Sequence, residues 1–264
     1  MTITTILSNT AAVCVIGLVL GGSDILLAEE RTNVCAIVTA SEFWEKFDYM
    51  TTTAENCPDG CHFEMTYWKE PIRAHVLAPI DDPSLGDEVS NILLRAIDQI
   101  SAFSRLDAQV VDVSTTSETP NLYVFLLHEE LVNYWSQNGF FGLDPSGFQL
   151  HRNAYEHGSC SGAGFFDSSE GVAEIKIGMV FAPFDQTGRD LEKCIFEEFV
   201  NVLGLVGDPR GQASLFDQEN YRIVDDEFYF SMETLVMLDA LYEIASGGVA
   251  GKEAYSERAC QFSD

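Results

Sequence analysis

The stretch Cys194-Ile195-Phe196-Glu197-Glu198-Phe199-Val200-Asn201-Val202-Leu203-Gly204-Leu205-Val206-Gly207-Asp208 decides how this chain is read. Ile195, Phe199, Val202 and Leu203 recur at helical spacing, so Asp190 to Leu205 reads as an amphipathic helix. Gly204 is placed to end it, because helices commonly close on a glycine in a left-handed conformation. Glu197 and Asn201 stand at i and i+4 and share one face. Glu198 lies between them in sequence, and Asp208 lies just past the helix.

Outward from this helix the pattern changes period. Upstream, Val172 to Val180 alternates apolar and polar residues and reads as a strand. Before it, Asn138 to Gly171 is a Gly- and Ser-rich excursion with Cys160 in its middle. Asn121 to Leu127 is apolar enough for a central strand, and Glu129 to Gln137 reads as a short helix. Val110 to Val113 is a further short strand. Asp87 to Ser104 carries Val89, Ile92, Leu93, Ala96, Ile97, Ile100 and Phe103 at helical spacing. Tyr67 to Leu77 is the first strand. Downstream, Phe228 to Ile244 is the last helix, with Asp225, Asp226 and Glu227 complementing its dipole. No internal repeat appears. This order predicts an α+β layered domain with a mixed sheet, a long helix after the first strand, and a C-terminal helix.

The chain has 264 residues, 46% of them hydrophobic with 18 Phe, enough for one sizeable core. Its formal net charge is -28, from 14 Lys+Arg against 42 Asp+Glu. A surface this acidic repels phosphate backbones and excludes nucleic acid as a partner. Residues 1–28 read as a signal peptide: the apolar run Ala11 to Leu20 is shorter than the ~20 residues of a membrane span, and Ala28 is a cleavage point. Periplasmic or secreted localisation follows, with no stable membrane insertion after cleavage. Residues 29–66 form a cysteine-containing extension, 67–251 the main domain and 252–264 a C-terminal tail.

Beyond the signal the cysteines are Cys35, Cys57, Cys61, Cys160, Cys194 and Cys260, an even number that favours disulfides in an exported chain. Gly158-Ser159-Cys160-Ser161-Gly162 mimics a G-x-S-x-G nucleophile elbow with cysteine at its centre. An elbow must lead from a strand into a helix, whereas glycine and serine continue here through Gly164. Disulfide pairing of Cys160 with Cys194 is therefore favoured over a free nucleophile beside His157. The histidines His62, His75, His128, His151 and His157 form no ligand pair and read as surface residues.

The opening helix resembles that of zincin peptidases, which carry H-E-x-x-H so that both histidines face a zinc ion and the glutamate polarises its water. In the metzincin pattern aligned on Gly204, Glu197 and Asn201 stand at the two histidines and Glu198 at the catalytic glutamate. Gly207, with Asp208 beside it, stands at the third ligand, and Phe216 takes the methionine position of the following turn. Cys194 to Asp208, with Ser214-Leu215-Phe216 and Leu238-x-x-Leu241-Tyr242, also resembles the uncharacterised domain of unknown function 2927 family of exported proteobacterial proteins. Trp68-x-x-Pro71-Ile72 and Pro120-Asn121-Leu122 extend that resemblance over roughly Tyr67 to Gly251.

The zincin likeness implies a degenerate active-site helix, because zinc wants imidazole or thiolate and this helix offers oxygen. No metal or other cofactor is expected. The expected function is non-catalytic: an unknown protein or peptide ligand bound in the former cleft by Glu197, Asn201, Asp208 and Phe216. That cleft is expected under the Cys194–Gly204 helix, opposite the Val172–Val180 strand. The alternative is a divergent metal-dependent peptidase, with Glu198 as general base and a divalent cation held by Glu197, Asn201 and Asp208.

Overall fold

Alternation along the two most apolar strands divides the molecule into layers. The computed structural model describes residues 34–52, 65–78, 82–169, 172–206, 221–224 and 227–261. In β4 (Leu122–Leu127), Leu122, Val124 and Leu126 enter one core, while Phe125 and Leu127 enter a second on the opposite face. In β6 (Val172–Pro183), Ile175, Val180 and Ala182 join the first core, and Met179 and Phe181 the second. Successive side chains of a strand point to opposite faces, so a sheet buried on both sides fills two cores at once.

The sheet runs β1-β6-β4-β2-β3, with β1 at Met65–Tyr67, β2 at Ile72–Leu77 and β3 at Ala108–Val110. These pairings are all parallel. β5 (Ser161–Ser169) is the antiparallel exception and pairs with β6 from Val172 to Phe181. That span overlaps both β1 and β4, so β5 holds one edge of β6 and the other two strands share the opposite edge. A small hairpin, β7 (Tyr221–Val224) and β8 (Glu227–Phe230), forms a separate two-stranded sheet.

Helices cover both faces. The first core holds α2 (Phe43–Thr52), α3 (Pro83–Phe103), α6 (Gly188–Val202) and α7 (Met232–Ala245). The second holds α4 (Glu129–Asn138) and α5 (Pro145–Glu156). Residues 34–39 form a short helix, α1, and α8 spans Lys252–Gln261. The long α3 begins where Asp82 accepts the Leu85 N–H at 3.2 Å and Pro83 supplies a preset first turn. Among the described residues, no helix is long and apolar enough to cross a membrane.

The α+β layered expectation with a mixed sheet holds at that level, and several boundaries change. The expected first strand is two, β1 and β2, parted by Trp68 to Pro71. The Gly- and Ser-rich excursion contains α5 and β5. The last helix starts at Met232, because Phe228 and Phe230 pack as strand residues against Phe196. The segment read as a tail is α8, whose Tyr255 is buried and donates to Asp239 at 2.7 Å. The segment read as an extension buries Phe43, Phe47 and Met50 in the first core. Cys35 bonds Cys260, which ties α1 to α8, and Cys160 bonds Cys194 as the sequence suggests. Cys57, Cys61 and His62 lie outside the described residues.

Candidate functional site

The anchoring of α6 fixes the geometry around it. At its C-terminal end the Trp68 indole N–H donates to the Val202 carbonyl at 2.9 Å, and the Tyr242 hydroxyl to the Leu203 carbonyl at 3.1 Å. These side chains satisfy carbonyls that a helix end leaves without partners. The next residue is Gly204, with φ of 115°. A Cβ there would lie 2.2 Å from the Thr66 carbonyl oxygen, so glycine is needed both for conformation and for contact with β1. Nearer the start of α6, buried Glu192 accepts from Arg95 at 2.5 Å and from the Phe228 N–H at 3.3 Å.

With the buried face fixed, Glu197, Glu198 and Asn201 stand half-buried on the wall of a cavity of about 560 Å³. The Asn201 amide donates to Glu198 Oε2 at 3.3 Å. β5 supplies the facing wall through Ser161, Gly162, Ala163, Gly164 and Phe166. A Cβ on Gly162 would stand 2.8 Å from Glu198 Oε2, so the carboxylate lies directly against the strand. From the other face of the sheet, α5 adds Leu150, Asn153, Ala154 and His157. The cavity therefore opens where helices from both faces meet along the edge strand. β6, which the sequence reading set opposite the helix, contributes Ile175.

Two bonds hold the α5 side in place. The Cys160–Cys194 disulfide joins the entry of β5 to α6, with Cα atoms 5.6 Å apart. His151 Nδ1 lies 2.8 Å from the Ser161 hydroxyl. The expectation of a surface histidine fails at His151, which is 3% exposed and packed on Phe148 and Phe181. Burial among these rings pushes its pKa down to about 4, so the imidazole is neutral at ordinary pH. No elbow forms at Cys160, since the chain enters a strand there. His157 is exposed, and its Nδ1–H donates to the Asn153 carbonyl at 2.7 Å.

Of the predicted site residues, Glu197, Glu198 and Asn201 come together on this wall, while Asp208 and Phe216 lie outside the described residues. Among the described residues, no three His, Cys, Asp or Glu side chains cluster closely enough to hold a metal ion. The α5 and β5 contributions escaped the sequence reading. For α5 the usable signal is Asp144-Pro145, an N-cap followed by a first-turn proline.

No curated protein matches the chain. One family model does, over residues 46–245, about three-quarters of the chain, spanning β1 to β8, α3 to α7 and the cavity walls just described. The chain therefore belongs to the family described as "Protein of unknown function (DUF2927)".

Proposed function

We propose that this is an exported, non-catalytic binding protein with a degenerate zincin-like fold that holds an extended peptide segment of a partner in the cleft between α6 and β5. One observation carries the reading. The cleft is walled by a nine-residue strand that pairs, among the described strands, with β6 on one edge alone. The edge of β5 away from β6 carries main-chain N–H and C=O groups at the regular spacing that an added strand engages. Gly162 and Gly164 present that backbone to the cavity without side chains of their own.

The zincin-like reading is supported by α6 following β6, its polar face turned to the edge strand, and the turn at Gly204. Glu197 and Asn201 place oxygen where the zincin pattern has imidazole, which supports binding over zinc chemistry. Export is supported by the two disulfides, which persist in oxidising compartments. The second reading, a divergent peptidase, is favoured by Glu198 lying against the β5 backbone. There Glu198 would serve as general base, and a hard divalent cation would fit the oxygen donors of Glu197, Asn201 and Asp208.

A panel of capped, labelled heptapeptides tests the two readings together. Wild-type protein binds members of the panel, followed by fluorescence anisotropy, and mass spectrometry recovers them intact. Methylating alternate backbone nitrogens of a binding peptide abolishes its binding. Cleavage that disappears in Glu198→Gln establishes the peptidase instead. Absence of binding across the panel removes the peptide reading.

A further inference from the structure

Resting on that reading of the cleft as a peptide site, we infer that the bound segment is basic, and that Glu197 and Glu198 select a Lys or Arg side chain beside an apolar one. The inference starts from the composition of the walls. The described residues around the cavity include two carboxylates and no Lys or Arg. The chain as a whole carries 42 acidic residues against 14 basic ones, so its long-range field also draws cationic segments.

Position sharpens this beyond net charge. Both glutamates are half-buried, where an ion pair is screened less than at an open surface. Glu198 lies beside Gly162, within side-chain reach of a segment running along β5. Asn201 donates to Glu198 and orients it. A carboxylate has about four lone-pair sites, so these groups can accept a ligand's ammonium or guanidinium alongside the bonds they already make. Charge-assisted hydrogen bonds of this kind are stronger than neutral ones.

The apolar half comes from the other wall. Leu150 is 43% exposed and Phe166 47%, and both line the same cavity. Exposed apolar residues are ordinary singly, but here two of them border one cleft beside two carboxylates. A segment pairing a cation with an aliphatic or aromatic side chain satisfies both walls. A purely acidic or purely polar segment satisfies neither.

The test uses mature protein and two labelled, capped heptapeptides of alternating valine and one variable residue, either lysine or norleucine. Norleucine keeps the aliphatic stem and removes the ammonium. At physiological salt the lysine peptide binds at least tenfold tighter by fluorescence anisotropy. The preference falls below threefold in the Glu197→Gln, Glu198→Gln double variant. It persists in the Asp87→Asn, Glu88→Gln control, which removes the same charge outside the cleft. Equal binding of both peptides to wild type overturns the cation inference and leaves the peptide site standing. Absence of binding by either peptide removes both. A preference lost equally in both double variants reports the overall field and overturns the assignment to Glu197 and Glu198. Spermidine competing at the concentration of the lysine peptide shows a free polyamine to be the ligand and overturns the peptide commitment. Far-ultraviolet circular dichroism confirms that each variant folds.

Discussion

The two faces of α6 carry similar residues under opposite rules. On the inner face, Glu192 is 7% exposed and its carboxylate is committed to Arg95 and the Phe228 N–H. On the cleft face, Glu197 and Glu198 are half-buried and border about 560 Å³ of space. A buried carboxylate is tolerated when it is paired and hydrogen-bonded. A half-buried carboxylate at a cavity wall still meets solvent, so its charge is held there at a lower desolvation cost. Carboxylate chemistry alone therefore says little about role along this helix; the surroundings decide it.

The sharpest contrast lies at the helix end, where both faces depend on one backbone. Gly204→Ala forces a side chain into φ of 115° and sets a Cβ 2.2 Å from the Thr66 carbonyl oxygen and 2.9 Å from Leu241 Cδ2. Backbone atoms cannot yield as a flexible side chain can. The expected cost is roughly 3–5 kcal/mol, read as the urea midpoint shift at unchanged m-value. A loss below about 1 kcal/mol would mean that the anchoring by β1 is not the constraint described.

His151 gives the next effect and isolates the far wall. Its folded pKa of about 4 lies below the usual 6.5, so between these values the unfolded chain binds the extra proton. Stability is full above pH 6.5 and is lost as pH falls toward 4, by up to roughly 3 kcal/mol for this group. Asp239 opposes that slope. Burial raises its pKa above 3.8, so its contribution falls as pH rises through the folded value. The informative quantity is therefore the difference between wild type and His151→Phe in urea titrations from pH 7 to 4.5. The variant lacks the His151 loss on acidification.

These positions also mark what sequence could give. The α6 face and its terminal glycine were legible because helix periodicity and a C-terminal glycine are local signals. The Cys160–Cys194 pairing was legible because the alternative, an elbow, needs a helix that the local glycines deny. The second wall was not. β5 begins Ser161-Gly162-Ala163-Gly164, poor in strand-forming side chains, and it is a strand because β6 offers it an edge. α5 buries only Phe148 and His151, too few to set a helical period. A histidine read as surface-exposed is buried because partners distant in sequence, Phe181 and Ser161, enclose it.

A smaller loss separates pairing from burial on the inner face. Glu192→Leu removes the carboxylate, leaves the Phe228 N–H without it, and takes a partner from Arg95. Because the Arg95 side chain is 34% exposed, water recovers part of the loss, and the expected cost is roughly 2 kcal/mol. Adding Arg95→Met recovers at least half of it, since an apolar pair of similar volume replaces a buried ion pair well. A double variant less stable than Glu192→Leu would mean that the arginine stem, rather than its charge, does the packing.

The smallest effect is the one that tells the two faces apart. Changing Glu197 and Glu198 together to Gln keeps their volume and hydrogen-bonding capacity and removes two charges from a chain of net charge -28. Both side chains are half-buried beside a cavity, where water or a ligand can reach the new amides. The expected change in unfolding free energy is below about 1 kcal/mol, and relief of self-repulsion works in the stabilising direction. Thermal unfolding at matched pH and salt reads it directly. A cost as large as that of Glu192→Leu would place these carboxylates in the structural frame of the helix. A near-zero cost leaves them without a stability role, which is the behaviour of groups whose work is done on something outside the chain.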